Sequence, residues 1–357
     1  MKPKINIALD ISPLSDGNRQ RGMGYYLRHL VPALENEINS NPDYKCFKLL
    51  TFTPPQPILS EAHILHVPYF QPFFPSLAPV PKLPFIVTVP DLIPLELPHL
   101  FPVGIKGSIN WYLQKKRLLK ASYIITISHF SKYSITRHTS FPKDRIYTTW
   151  LSAPDNYHPV TDTTLLNKVK KLYHLPPRFV LYVGDINTSK NIPLLVKTCQ
   201  SLNYPLVIAG AAATKSQVEN NPWNKDLLWL QNHKNQVTLT GFIPDSDMPA
   251  LYSLATLYCQ PSLSEGFGLT PVEAMACGCP VVYAIGSSLT EVMDYQGEFF
   301  DPTSQISLSH ALTAVWSSPS YQKKLSQDGL TRASVFSWRQ TALQTLSTYQ
   351  LLSYEIK

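Results

Sequence analysis

The residues best suited to chemistry lie between 265 and 282, in the run EGFGLTPVEAMACGCPVV. Two carboxylates, Glu265 and Glu273, bracket a loop in which Gly266 and Gly268 admit unusual backbone angles and a closely approaching ligand. Thr270 and Pro271 are expected at the N-cap and first position of a helix, so that free backbone N–H groups and the positive end of a helix dipole open onto this loop. An anion suits that end. The carboxylates suit vicinal hydroxyls, the groups that sugars and riboses offer as donors. A purely structural account competes for Glu273, because Thr270 and Glu273 also spell a T-x-x-E capping box. Glu265 has no comparable local role.

The elements that must position this loop read as strand and helix in alternation. In the second half, FVLYV (179–183), PLVIA (205–209), VTLT (237–240), TLYCQ (256–260) and PVVY (280–283) are strands without polar alternation, separated by helical segments from about 192, up to about 233 and from 271. That pattern means a parallel sheet covered on both faces. The first half begins with a strand at 5–9, a polar loop carrying Gly22 and Gly24, and a helix with Tyr26, Leu27, Leu30, Val31 and Leu34 at helical spacing. Further strands are expected at 47–52, 63–67, 85–89 and 123–127, with helices near 108–121 and 130–139. Thirteen prolines and no glycine fall between 54 and 102, so the connections there must be extended and stiff. Two doubly wound domains result, and ligands of such sheets bind at the carboxyl ends of the strands, in the cleft between facing domains.

Composition agrees with two cores: 357 residues, 44% hydrophobic and 15% charged, is more than one usual domain length. No stretch is long and apolar enough to span a membrane, and the start of the chain lacks the features of an export signal. Cys46, Cys199, Cys259, Cys277 and Cys279 are odd in number and form no CxxC pair, which argues against a disulfide framework and a structural zinc site and favours a cytoplasmic location. Charge is uneven. Residues 1–160 carry 17 Lys and Arg against 10 Asp and Glu, so the whole net charge of +7 belongs to the first half. The stretch 97–143 has no acid and includes Lys106, Lys115, Lys116, Arg117 and Lys120; it reads either as a solvated helix face or as a surface for anionic lipid at the inner face of a membrane. Nucleic acid is not an expected partner, since the basic excess carries no known binding motif. Gly22 and Gly24 do not complete a dinucleotide fingerprint, because Leu27 holds the third position.

The block from Glu265 to Glu273 resembles the signature of the retaining glycosyltransferases of family 4, which have the GT-B fold of two Rossmann-like domains. The wider likeness runs through RGMGYY, VTVPDLIP at 87–94, YIITISHFSK at 123–132, LYVGDINTSKN at 181–191, LVIAG at 206–210 and GFIPDSDMPALYSLA at 241–255. It implies an α/β fold with an acceptor-binding domain over 1–158, a nucleotide-sugar-binding domain over 159–336, and a helix over 337–357 that crosses back to the first. It further implies that Glu265 contacts the transferred sugar and Glu273 the donor ribose, while backbone amides around Gly266, Phe267, Gly268 and Leu269 surround the sugar and its diphosphate. Lys190 matches the lysine of a basic pair that neutralises the diphosphate leaving group in place of a metal, so neither metal nor cofactor is expected.

Two departures stand out. Asp185 and Ser189 occupy the region where relatives have the second cation, and Arg19 or Arg21, beside Gly22 and Gly24, is expected to supply it on the donor side. Relatives also have a His-Asp pair in the first domain; here it is Pro90-Asp91, leaving Asp91 either as an acceptor contact or as a loop cap. His66 and His129 lie nearby and read more readily as structural. The function implied is a retaining, metal-independent transfer of a sugar from a nucleotide-diphosphate donor to a cell-envelope glycan or lipid-linked saccharide. The alternative is a sugar-nucleotide-binding partner subunit with weak catalysis.

Overall fold

Apolar runs become parallel strands where helices can cover both faces, and the computed structural model, which describes residues 4–15, 22–54, 60–79, 82–214 and 218–356, holds two sheets made this way. The first contains β1 (Ile5–Asp10), β2 (Phe47–Phe52), β3 (Ile64–Val67), β4 (Phe85–Thr88), β5 (Tyr123–Thr126) and β6 (Ile146–Thr148) in the order β2-β1-β3-β4-β5-β6. The second contains β7 (Val180–Val183), β8 (Leu206–Ala209), β9 (Thr238–Gly241), β10 (Leu257–Gln260), β11 (Val281–Ala284) and β12 (Glu298–Phe300) in the order β12-β11-β10-β7-β8-β9. All their pairings are parallel. The edge strands β6 and β12 were not foreseen, because three residues carry too little pattern to stand out.

The chain divides into two compact units: residues 1–96, 103–151 and 337–357 in one, 97–102 and 152–336 in the other. The short segment 97–102 is tied to the second unit by Phe101, whose ring meets Trp223 edge-on at 5.2 Å, and by the Trp223 indole, which donates to the Pro102 carbonyl at 3.2 Å.

In the first unit, Val87, Leu118, Ile124, Ile135 and Ile146 form the centre of one core cluster. The helix Ile105–Leu118 turns Leu118 and Gln114 inward; Gln114 Oε1 accepts from the backbone N–H groups of Ser76 and Leu77 at 3.2 and 2.8 Å, clasping a proline-rich loop that has little regular hydrogen bonding of its own. Gly22 and Gly24, expected in a loop, are instead the first and third residues of the helix Gly22–Ser40, with Gly24 buried. A Cβ at Gly22 would meet open space, so packing does not require glycine at that position. Arg19 and Arg21 lie outside the described residues.

The last helix, Trp338–Glu355, belongs to the first unit and inserts Trp338, Leu346, Tyr349 and Leu352. It meets the sheet through a buried polar relay: His66 Nδ1 lies 2.6 Å from the Tyr349 hydroxyl and His66 Nε2 lies 2.8 Å from Thr88 Oγ1. Burial pushes the His66 pKa down to about 3, so the imidazole is neutral at neutral pH. His66 is therefore a structural residue of β3.

Because the folded pKa lies below the unfolded value, the unfolded chain binds an extra proton between about pH 6.5 and pH 3, and the contribution of His66 to stability is lost as pH falls through that window. The substitution His66→Gln should reduce the acid-side slope of unfolding free energy by up to about 1.4 kcal/mol per pH unit, as measured by denaturant titrations between pH 7 and pH 4.

Candidate active site

The order of the second sheet decides where a ligand can bind. From β7 the chain builds outward through β8 to β9, then returns to lay β10, β11 and β12 on the other side of β7. The connections at the carboxyl ends of β7 and β10 therefore run apart, which is where open parallel sheets form a binding crevice. Lys190 follows β7 and Glu265 follows β10, and the structure brings them into contact: Lys190 Nζ donates to Glu265 Oε1 at 2.7 Å. Both side chains are largely buried, at 18% and 11% exposure.

The same oxygen, Glu265 Oε1, also accepts from Gln260 Nε2 at 2.7 Å and from Ser262 Oγ at 2.6 Å. Among the described residues no hydrogen bond reaches Oε2, so the carboxylate is anchored through one oxygen and offers the other. Gln260 closes the last position of β10. Its Oε1 accepts from the Tyr258 hydroxyl and, at 3.3 Å, from Thr270 Oγ1, which links the carboxylate to the following helix. Burial holds the Tyr258 hydroxyl well above its ordinary pKa, so it stays a donor.

The loop backbone is held as firmly. The Glu265 N–H donates to Ser287 Oγ at 3.1 Å, and Ser288 Oγ donates to the Glu265 carbonyl at 2.8 Å. Ser287 adopts φ of +49°, a left-handed conformation uncommon outside glycine and asparagine, worth about 1–2 kcal/mol of local strain. Neighbouring Ser264 has a buried hydroxyl with no hydrogen-bond partner among the described residues.

The helix begins earlier than expected, at Leu269, with Gly268 at its N-cap. Gly268 takes φ of +97°, and a Cβ there would come within 2.6 Å of Leu289 Cδ2, so both the turn and the packing require glycine. Thr270 is consequently inside the helix and caps nothing, and the capping-box account of Glu273 fails. Instead Glu273 Oε2 accepts from the buried Tyr252 hydroxyl at 2.9 Å, and burial together with the Glu273 charge raises the Tyr252 pKa well above its ordinary value. Phe267 is buried against Phe336, while Gly266 and Gly268 carry the backbone past Glu265.

Two further candidates make local turn contacts. Asp185 Oδ1 accepts from the N–H of Ile186 at 3.0 Å, a local turn contact. Asp91 follows β4 in the first unit, where its Oδ1 accepts from the Ile93 N–H at 3.1 Å, the loop-cap geometry. Gln260, Ser262, Ser287 and Ser288 were missed from sequence. Only Gln260 left a trace there, as a lone polar residue ending an otherwise apolar strand.

Residues 166–332 match the family described as glycosyl transferases group 1. Over 347 residues the chain is 30% identical to O-antigen chain mannosyltransferase B of Escherichia coli, covering 90% of this chain and 87% of that protein. The chain belongs to the glycosyl transferases group 1. This glycosyltransferase is also 27% identical over 263 residues to the serotype-specific mannosyltransferase WbdA of Escherichia coli, matching 71% of its own length and 31% of the relative's. Its fold is GT-B, as in sucrose-phosphate synthase from Thermosynechococcus elongatus, at a TM-score of 0.75 and 20% identity over 99% of this chain and all of the other. The glycosyltransferase WaaG superposes at a TM-score of 0.66 with 11% identity, covering 96% and 98%.

Removing either partner of a buried ion pair leaves an uncompensated charge and costs more than the pair contributes by itself. Glu265→Gln and Lys190→Met should each destabilise the glycosyltransferase, and the double variant should be less destabilised than their sum by about 1–3 kcal/mol. Urea titrations of the four proteins test this; additive losses would mean that the two side chains do not act as a pair.

Proposed function

We propose that this glycosyltransferase transfers a mannosyl residue, with retention of anomeric configuration and without a metal, from a nucleoside-diphosphate mannose bound by the second unit to a saccharide acceptor bound by the first. The observation that carries the reading is the anchored Glu265: three donors converge on Oε1, and Oε2 is left for a sugar hydroxyl at the carboxyl end of the sheet. The mannosyl group is inferred from the names of the relatives, since both Escherichia coli proteins above are named mannosyltransferases. Retention is inferred from the likeness of the Glu265 to Glu273 block to its family signature. The acceptor inferred is a cell-envelope glycan or lipid-linked saccharide presented at the inner face of the membrane.

Leaving-group departure sets the chemical demand. As the glycosidic bond breaks, negative charge grows on the diphosphate, and groups that meet this charge more strongly in the transition state than in the ground state accelerate the step. In the proposed arrangement Lys190 supplies a fixed ammonium; its two N–H donors not used by Glu265 have no partner among the described residues. The N-terminus of the helix Leu269–Ala276 supplies oriented backbone N–H groups from the loop of Gly266 to Leu269. Glu273, five positions into that helix, is the proposed ribose contact, and the buried Ser264 hydroxyl beside Glu265 is proposed as a further donor contact. Asp91, Gly22, Gly24 and Arg21 remain proposed contributors from the first unit.

A panel of nucleoside-diphosphate sugars in a thermal-shift assay tests the donor, since a ligand that binds only the folded protein raises Tm in proportion to its occupancy. The mannose donor should shift Tm more than its glucose and galactose counterparts, and proton NMR of the product should show the donor's own anomeric configuration. Glu265→Ala should lower transfer at least about 100-fold. Lys190→Ala should weaken diphosphate binding, with Lys190→Arg restoring part of it. Chelation by EDTA should leave the rate unchanged; loss of activity on chelation, restored by a divalent cation, would overturn the metal-free mechanism.

A further inference from the structure

The helix Ile105–Leu118 is two-sided in an unusual way. Gln114 and Leu118 face the core, and Trp111 packs beside them. On the opposite side Ile105, Ile109, Tyr112 and Leu113 are exposed at 84%, 54%, 57% and 42%, and Leu119 just beyond the helix at 42%. Positions 105, 109, 112, 113, 116 and 120 fall on one stripe at helical spacing, so the exposed apolar groups are contiguous and Lys116 and Lys120 emerge among them. A shallow hollow lined by Val103, Ile105, Ser108, Ile109 and Tyr112 opens at the start of the stripe.

The structure also sorts the cations of the acid-free stretch. Lys115 Nζ donates to the His138 carbonyl at 2.8 Å, and Arg117 donates to the Leu77 carbonyl, so these two serve the fold. Lys106, Lys116 and Lys120 are exposed, and Lys116 lies over the Tyr112 ring at 4.4 Å. No acid occurs from 97 to 143 to neutralise them within the stretch. A second copy of the chain would set this basic stripe against its own like charge if the faces met symmetrically.

We infer that the outer face of the helix Ile105–Leu118 is a docking surface for an anionic lipid bilayer, with Ile105, Ile109, Tyr112 and Leu113 entering the interface and Lys106, Lys116 and Lys120 meeting lipid headgroups. Apolar residues that enter the acyl boundary and lysines that extend along them to the headgroups are the two attractions an interfacial helix combines. Neither alone gives stable attachment; together they give reversible binding that weakens as salt screens the lysines. The biological purpose assigned to this face rests on the membrane-presented acceptor proposed above, but the binding itself does not.

Co-sedimentation of the full chain with vesicles tests it. Vesicles of phosphatidylcholine with 30% phosphatidylglycerol (about that fraction suffices to make the surface anionic) should retain the protein, and pure phosphatidylcholine should not. Taking about fivefold in partition coefficient for each lysine, Lys106→Ser, Lys116→Ser and Lys120→Ser together should lower partitioning by two orders of magnitude or more, roughly. Ile105→Ser with Ile109→Ser should lower it at least about tenfold without changing the salt dependence. Lys168→Ser with Lys171→Ser, on a helix of the second unit, removes charge elsewhere and should have little effect. Unchanged Tm and unchanged transfer to a soluble acceptor would show that the variants are folded and that the catalytic reading stands or falls separately. Equal binding to both vesicle types, no binding, an equal loss in the Lys168 and Lys171 control, or dimer dissociation caused by Ile109→Ser would each overturn the inference.

Discussion

A charge pair buried at the point where two neighbouring parallel strands send their chains apart is the constraint on which the second unit is built. Lys190 and Glu265 each lose most of their water there, and a desolvated charge is tolerated only when it is paired and hydrogen-bonded. The surrounding residues follow from that requirement. Gln260 and Ser262 complete the shell of one carboxylate oxygen, Gly268 permits the turn that carries the loop into the next helix, and Ser287 and Ser288 hold the Glu265 backbone from both sides. The strands below carry almost no polar side chains because the polar groups of this sheet are concentrated where its strands end.

What could be read from sequence was set by the range of the interactions. Continuous apolar runs such as VVY and LVIA announced buried parallel strands, since burial on both faces leaves no polar alternation. The three-residue edges β6 and β12 carry no such signal. The helix start was misplaced because Thr270 and Pro271 have the expected local chemistry, yet the left-handed turn at Gly268 takes the capping position first. The two glutamates were found from the glycine loop and helix start they bracket, and Lys190 by likeness to a family signature. Their pairing was not legible, because residues 75 positions apart meet only through the adjacency of β7 and β10. Gln260 was passed over for the same reason: a glutamine at a strand end has no meaning until its neighbours across the loop are known.

The first unit teaches a related lesson about charge. Counting along the chain puts the whole net positive charge in the first half, but it does not say which cations reach solvent. Lys115 and Arg117 are used as donors to backbone carbonyls of neighbouring segments, as Lys132 is to the Ile146 carbonyl, whereas Lys106, Lys116 and Lys120 remain outward. Histidines divide in a similar way. His66 is neutral and buried in a relay between β3, β4 and the last helix, while His138 lies beside Glu96 near the surface at 2.9 Å. Residue type supplied the inventory of charges, and packing decided their use.

The redundancy around Glu265 has a physical consequence for the proposed reaction. A lysine held only by one carboxylate could not turn toward an arriving diphosphate without leaving that carboxylate bare in a poorly solvated site. Here Gln260 and Ser262 remain on the same oxygen, so Lys190 can share its charge with phosphate while Glu265 keeps two donors. Conversely, the ion pair with Glu265 holds Lys190 in place, so that the proposed reaction would require little reorganisation when leaving-group charge develops. In the proposed reaction the ion pair is thus the resting form of an anion-binding position, and the neutral hydrogen bonds behind it would allow that position to change partners.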